Sequence, residues 1–192
     1  MAKTLDDYLK EITTLAAGRD LSAKWYRDKV KEVVPVRGQR IAMSENQMIR
    51  SIRQGRVNTT KPTYGIMNLY FYSPKHEQTL PYYDVFPLVI PIKRYKDGFL
   101  GVNFHYLSVP LRLKLLEKLR VRTAEGRIVG WSRVARIKQI KPCVKRYLTS
   151  HVGSRYLKIS DEEMEVAAML PVQKFKKATA RQVWAESRRM VM

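Results

Sequence analysis

The chain has 192 residues, 45% of them hydrophobic and 28% charged, a composition that suits one globular domain and excludes wholesale disorder. Its 37 Lys and Arg against 17 Asp and Glu leave a formal charge of +20, well beyond the magnitude of about 2–8 that solubility asks for. An excess of that size points to a polyanion or an acidic partner, and nucleic acid is the leading candidate.

Other classes fall away on local features. A single cysteine, Cys143, permits neither an internal disulfide nor a cysteine-built zinc site. The opening residues MAKTLDDYLKEITTL carry Asp6, Asp7 and Glu11 where a secretory signal has an uncharged apolar core. The most apolar stretch, Val85 to Ile92, is far shorter than the roughly 20 residues of a membrane helix. The expectation is a soluble intracellular protein with no membrane partner.

Thr4 with Asp7 reads as an N-cap, and Leu5, Tyr8, Leu9, Ile12 and Leu15 follow at helical spacing. Ser22 opens a second helix with Trp25, Tyr26, Val30 and Val33 inward, stopped by Pro35. A basic loop follows at Arg37 to Arg40. A short third helix from Ser44 buries Met48, Ile49 and Ile52 and offers Arg50 and Arg53 on its polar side.

Beyond residue 60 the pattern changes. Eleven of the 19 aromatic residues fall between Tyr64 and Tyr106, in a segment punctuated by prolines. Strands are expected over Ile66 to Tyr72, Phe86 to Ile92 and Phe99 to Phe104, with a turn at Asp97-Gly98. Pro87 and Pro91 place the second of these at a sheet edge or a bulge. Pro110 starts a helix with Leu111, Leu115, Leu116 and Leu119 inward and Arg112, Lys114, Lys118 and Arg120 outward. Gly126 and Gly130 bracket a hairpin. Pro142 starts another helix, on which Val144, Tyr147, Leu148 and Val152 recur at helical spacing. Ser160 and Glu163 cap a short acidic segment ending at Pro171, and Thr179 to Met190 forms a last helix burying Val183 and Trp184. The predicted class is α+β, mostly helical around a small, Pro-interrupted antiparallel sheet. A helical N-terminal arm occupies 1–60, and a compact α+β domain occupies 61–192.

The charge is concentrated. Between residues 109 and 158, fourteen Lys and Arg face only Glu117 and Glu125. In the run R-V-A-R-I-K-Q-I-K, Val134, Ile137 and Ile140 fit one helical face and leave Arg133, Arg136, Lys138 and Lys141 outward. Lys145, Arg146, Arg155 and Lys158 continue the charge. With Arg112 and Lys114 before them, and Arg50 and Arg53 on the third helix, these are the candidate DNA-binding residues. Phosphate contacts of this kind position a duplex without reading its sequence. Tyr70, Phe71, Tyr72, Tyr82 and Tyr83 are either base-stacking platforms or core.

Catalytic signatures are missing. There is no phosphate loop, no dinucleotide-binding glycine motif and no H-E-x-x-H, and His76, His105 and His151 lack metal-ligand spacing. Cys143 reads as a small core residue. A metal-dependent nuclease needs two or three convergent carboxylates, and Asp84 and Asp97 with Lys93 are the central candidates. The turn at Gly98 accounts for Asp97 by itself. The expectation is no enzyme, no cofactor and no metal.

The stretch FYSPKHEQTLPYYDVFPLVIPIKRYKDGFLGVNFHYL, with LRLKLLEKL after it, resembles the DNA end protector proteins of large contractile-tailed bacteriophages. KPCVKRYLTSHV, the segment Ala168 to Val172 and VWAESRR extend the resemblance, which covers roughly Leu69 to Leu119 and Lys141 to Arg189. It implies a virion or late-stage phage protein, present in host cytoplasm during assembly. Such a protein binds the ends of the packaged double-stranded genome, shields them from exonuclease, and helps complete the head before tail joining. Other virion proteins would be its partners and an oligomer its state in assembly. The competing reading is a structural component of the neck, tail or baseplate whose basic face docks an acidic protein neighbour.

Overall fold

The computed structural model describes residues 58–120, 134–159, 164–170 and 172–191. The three expected N-terminal helices, the Gly126–Gly130 hairpin and the Ser160–Glu163 cap lie outside the described residues. Eight strands and three α-helices are described. The strands are β1 (Asn58–Thr59), β2 (Asn68–Leu69), β3 (Tyr83–Asp84), β4 (Leu88–Tyr95), β5 (Gly98–Asn103), β6 (Val144–Leu148), β7 (Tyr156–Lys158) and β8 (Phe175–Lys176). The helices are α1 (Val109–Arg120), α2 (Met164–Met169) and α3 (Ala180–Val191).

A six-stranded sheet in the order β1-β7-β2-β4-β5-β6 organises the molecule, and every neighbouring pair in it is antiparallel. β3 and β8 form a separate antiparallel pair. This overturns the expectation of a mostly helical protein. The sheet is assembled from long-range pairings, such as β2 with β7, which no local pattern announces.

β4 is an interior strand, between β2 and β5, so the prolines do not put it at an edge. They are accommodated in two ways. Pro87 precedes the first strand residue, and a register shift between Pro91 and Lys93 provides the expected bulge. The Pro91 carbonyl remains useful, accepting a hydrogen bond from the Gly65 amide at 3.0 Å.

The helix expected from Pro142 is also corrected. A 3-10 turn at Lys138–Cys143 leads into β6, and a second 3-10 turn follows at Thr149–His151. Val144, Tyr147 and Leu148 were compatible with either period over so short a run. Pairing with β5 decides the outcome: Phe99 lies opposite Tyr147, and the rings stack with centroids 5.4 Å apart.

Alternation along β4 and β5 sends side chains to both faces of the sheet, and both are packed. Leu88, Ile90 and Val102 meet Leu115, Leu116 and Leu119 of α1, Val183 of α3 and Ala167 and Ala168 of α2. Each such side chain, fully buried, is worth roughly 1.5–3 kcal/mol. Val134, Ile137 and Ile140 join this core, as their spacing predicted, although a 3-10 turn rather than an α-helix carries the last of them. The opposite face holds Tyr70, Tyr72, Val89, Phe99, Tyr147 and Tyr156. Tyr70 is central, with Tyr156 and Tyr147 ring centroids at 4.9 and 5.7 Å.

Candidate nucleic-acid interface

Two gatherings of charge stand out, and the first is inside. Asp84, at the end of β3, is buried and accepts four hydrogen bonds. Its Oδ1 takes the Phe86 and Lys174 amides, each at 3.1 Å. Its Oδ2 takes Asn103 Nδ2 at 3.2 Å and His105 Nδ1 at 2.7 Å. Burial acts to raise the carboxyl's pKa, but His105 and the other donors prevail and hold it below the usual value. Burial pushes the pKa of His105 down. The Asp84 carboxylate and the His105 ring thus share a buried contact.

This geometry does not bring the candidate nuclease carboxylates together. Both Asp84 oxygens are occupied, and Asp97 precedes β5 at the end away from Asn103, the Asp84 partner, about 20 Å along the strand at the usual rise. Among the described residues no three His, Cys, Asp or Glu side chains group to hold a metal ion. His105 Nε2 is buried and has no hydrogen-bonding partner among the described residues.

Arg112 belongs to the same interior and is 0% exposed, although the sequence placed it outward on α1 as a phosphate contact. Its Nε donates to the Leu107 carbonyl at 2.8 Å, and Nη1 to the Ala168 and Leu170 carbonyls at 3.3 and 3.2 Å. Nη2 reaches Gln173 Oε1 at 3.0 Å, and the guanidinium lies 5.6 Å from the Trp184 ring centre. The side chain thus ties α1 to the end of α2 and to α3. Trp184 Nε1 in turn donates to the His105 carbonyl at 2.9 Å. Helical spacing alone could not find this, because Arg112 faces the gap between helices where only carbonyls are left to receive it.

The second gathering is at the surface. The β4–β5 hairpin ends in Lys93, Arg94, Tyr95 and Lys96, all exposed. Next to it, β6 brings Arg146 opposite Leu100, which itself lies opposite Lys93. The Arg146 guanidinium sits 4.0 Å from the Tyr95 ring centre, and the Lys93 ammonium 5.3 Å from it. The position opposite Tyr95 is Gly98, where the backbone of β6 passes too close for any side chain. Any Cβ there would lie 1.9 Å from the Tyr147 carbonyl oxygen. The Asp97 carboxylate binds Arg146, and the Asp97 carbonyl accepts the Thr149 amide at 3.0 Å. On the other face of the strand, Arg94 stands 5.3 Å over Tyr64.

The remaining candidates are dispersed. Lys145 is half-buried, with its ammonium 4.2 Å over the Tyr106 ring, and burial pushes its pKa down. Lys114 on α1 and Arg136, Lys138 and Lys141 before β6 are exposed. A contact of 3.2 Å from Lys118 to Gln139 brings α1 beside the turn carrying Lys138 and Lys141. Arg155 and Lys158 are exposed at β7, which β2, β4 and β5 separate from β6 in the sheet order. Arg50, Arg53 and Arg133 lie outside the described residues. Lys93, Arg94 and Lys96 were not among the candidate binding residues, although their run K-R-Y-K directly before Asp97-Gly98 was a visible signal.

The aromatic candidates are not open platforms. Tyr70 and Tyr72 are core, Phe71 packs 4.7 Å from Phe86, and Tyr82 donates to Glu186 at 2.6 Å. Tyr83 is half-buried. Tyr95, 39% exposed, is the aromatic residue presented to solvent among the described residues. Cys143 is buried and free, its thiol pushed up to about 12 by burial, as a core residue should be.

No described helix is long and apolar enough to cross a membrane. Neither the curated proteins nor the solved structures contain a match to the chain. A family model described as phage T4 terminal DNA protecting protein matches residues 3–187, and so reaches into the first 60 residues, beyond the two stretches that carried the resemblance. With nearly its whole length matched, the chain belongs to the phage T4 terminal DNA protecting protein family.

Proposed function

We propose that this protein binds double-stranded DNA through sequence-independent phosphate contacts, shields the ends of a phage genome without catalysing a reaction, and in doing so helps complete the head before tail joining. The observation that carries the reading is the surface corner where Lys93 and Arg146 lie against the exposed Tyr95 ring and Arg94 and Lys96 add exposed charge to the same hairpin end. Cations in water contact phosphates at little desolvation cost, and such contacts carry no sequence information. Lys114, Arg136, Lys138, Lys141, Arg155 and Lys158 extend the positive surface, and Arg50, Arg53 and Arg133 are proposed to add to it. The protein acts in the virion, after host-cytoplasm assembly, as an oligomer among other virion proteins.

The test is protection of linear duplex from a processive exonuclease, with affinity for linear and closed circular DNA followed across a salt series. Six to ten phosphate contacts would weaken binding by about 10³–10⁵ between 50 and 200 mM salt. Protected ends with that steep loss are the expected result. Absence of binding at low salt would overturn the reading and favour a basic face that docks an acidic virion protein.

A further inference from the structure

We infer that Tyr95 is an end-stacking residue, whose ring seats on the terminal base pair of a blunt duplex while Lys93, Arg94, Lys96 and Arg146 take the flanking phosphates. The inference rests on the DNA-binding reading above and adds what that reading lacks, a reason to prefer ends. Phosphates are the same along the whole duplex, so a cluster of cations binds everywhere. Inside the duplex each base has both faces covered by its neighbours. At an end one face is bare, and an aromatic ring can cover it without unstacking anything.

Three features of the corner meet that requirement. Tyr95 is exposed, whereas the tyrosines of the sheet's other face are in the core. The ring is held in place: β4 and β5 are paired through Tyr95 and Gly98, and Arg146, itself gripped by Asp97, lies against the ring. Ordering the ring beforehand removes part of the entropic cost of stacking. The charges are also split by the strand's alternation. Lys93 and Arg146 share the face of Tyr95, and Arg94 projects on the opposite face beside Tyr64. Positive charge therefore lies on both sides of the hairpin, as a terminal pair carries a backbone on either side.

The experiment compares the full-length protein with Tyr95→Ala, Tyr95→Leu and Tyr95→Phe. The probes are a short blunt duplex with 2-aminopurine in its terminal pair, and the same duplex with both ends closed by loops. Wild type and Tyr95→Phe should prefer the blunt duplex by roughly 5- to 150-fold, the usual worth of one stacked base, and should change the 2-aminopurine fluorescence. Tyr95→Ala and Tyr95→Leu should lose both the preference and the fluorescence change, so that each binds the blunt and the closed duplex equally. Leu keeps apolar bulk over Gly98, so it separates lost stacking from a disturbed hairpin. A wild-type blunt preference that persists in both variants would overturn the inference and leave DNA binding intact. So would a wild type that binds both probes equally. A wild type that binds neither at low salt would remove the DNA-binding reading itself.

Discussion

The interior around Asp84 and the tip of the β4–β5 hairpin both collect charged side chains, yet they treat charge in opposite ways. Behind the 3-10 turn at Phe104–Tyr106, Asp84 and Arg112 are out of water, with carboxylate and guanidinium fully engaged by donors and carbonyls. At the hairpin, Lys93, Arg94 and Lys96 stay in solvent, and Arg146 is held by Asp97 beside an exposed ring. A buried charge must be saturated where it sits, so it fixes structure and has nothing left for a ligand. An exposed charge adds little to stability and keeps its capacity for a partner. Arg112 and Arg146 show that the residue type does not decide which role is taken.

The contrast can be broken most forcefully at Asp84. Asp84→Ala strands four donors in a dry site and should cost about 3–5 kcal/mol of stability by denaturant titration. A loss below 1 kcal/mol would show that the site is not sealed. Arg112→Met should come next, at roughly 2–4 kcal/mol, because the Leu107, Ala168 and Leu170 carbonyls lose their donor. Measured well below its melting temperature, that variant should bind DNA as wild type does.

A third effect is set by pH. The folded-state pKa of His105 is depressed, so its contribution is complete above the ordinary imidazole value of about 6.5 and is lost as pH falls toward the folded value. Asp84 is depressed as well, so its contribution is complete above about 3.9 and is lost as pH falls through its lower folded value. Both losses have the same sign. The melting temperature should decline steadily below about pH 6.5, and His105→Gln should remove the upper part of that decline. The smallest effect on stability is expected at the hairpin. Exchanging Lys93, Arg94 and Lys96 together for Gln should change stability by no more than about 0.5 kcal/mol. The slope of log affinity against log salt should nevertheless drop by about 2–3, one phosphate contact for each residue.

Part of this arrangement was legible beforehand. The leucines of α1 and the Val183–Trp184 side of α3 follow from helical spacing, because a helix keeps one face against the core along its whole length. A turn at Asp97 and the bulge at Pro91 follow from local backbone chemistry, although the turn residues are Lys96 and Asp97 and Gly98 opens β5. β6 was misread because Val144 to Leu148 is too short for periodicity to separate a strand from a helix. The fourteen basic residues of 109–158 looked like one phosphate-binding surface, yet the sheet order carries β6 and β7 to different places and folds Arg112 inward. The hairpin cations were passed over because the charge count for their segment is modest, and the matter of interest was their position around Tyr95.

By itself the amino-acid sequence determined the large positive charge, the helices with a continuous apolar face, the turn at Asp97 and the phage family. These depend on composition or on neighbours within a few residues. Tertiary structure alone decided that the sheet leads the fold, that Asp84 and Arg112 are sealed inside, and that Tyr95 stands exposed between Lys93 and Arg146. Each of these depends on strands and helices distant in the chain meeting side by side, and burial or exposure of a charge is a property of that meeting.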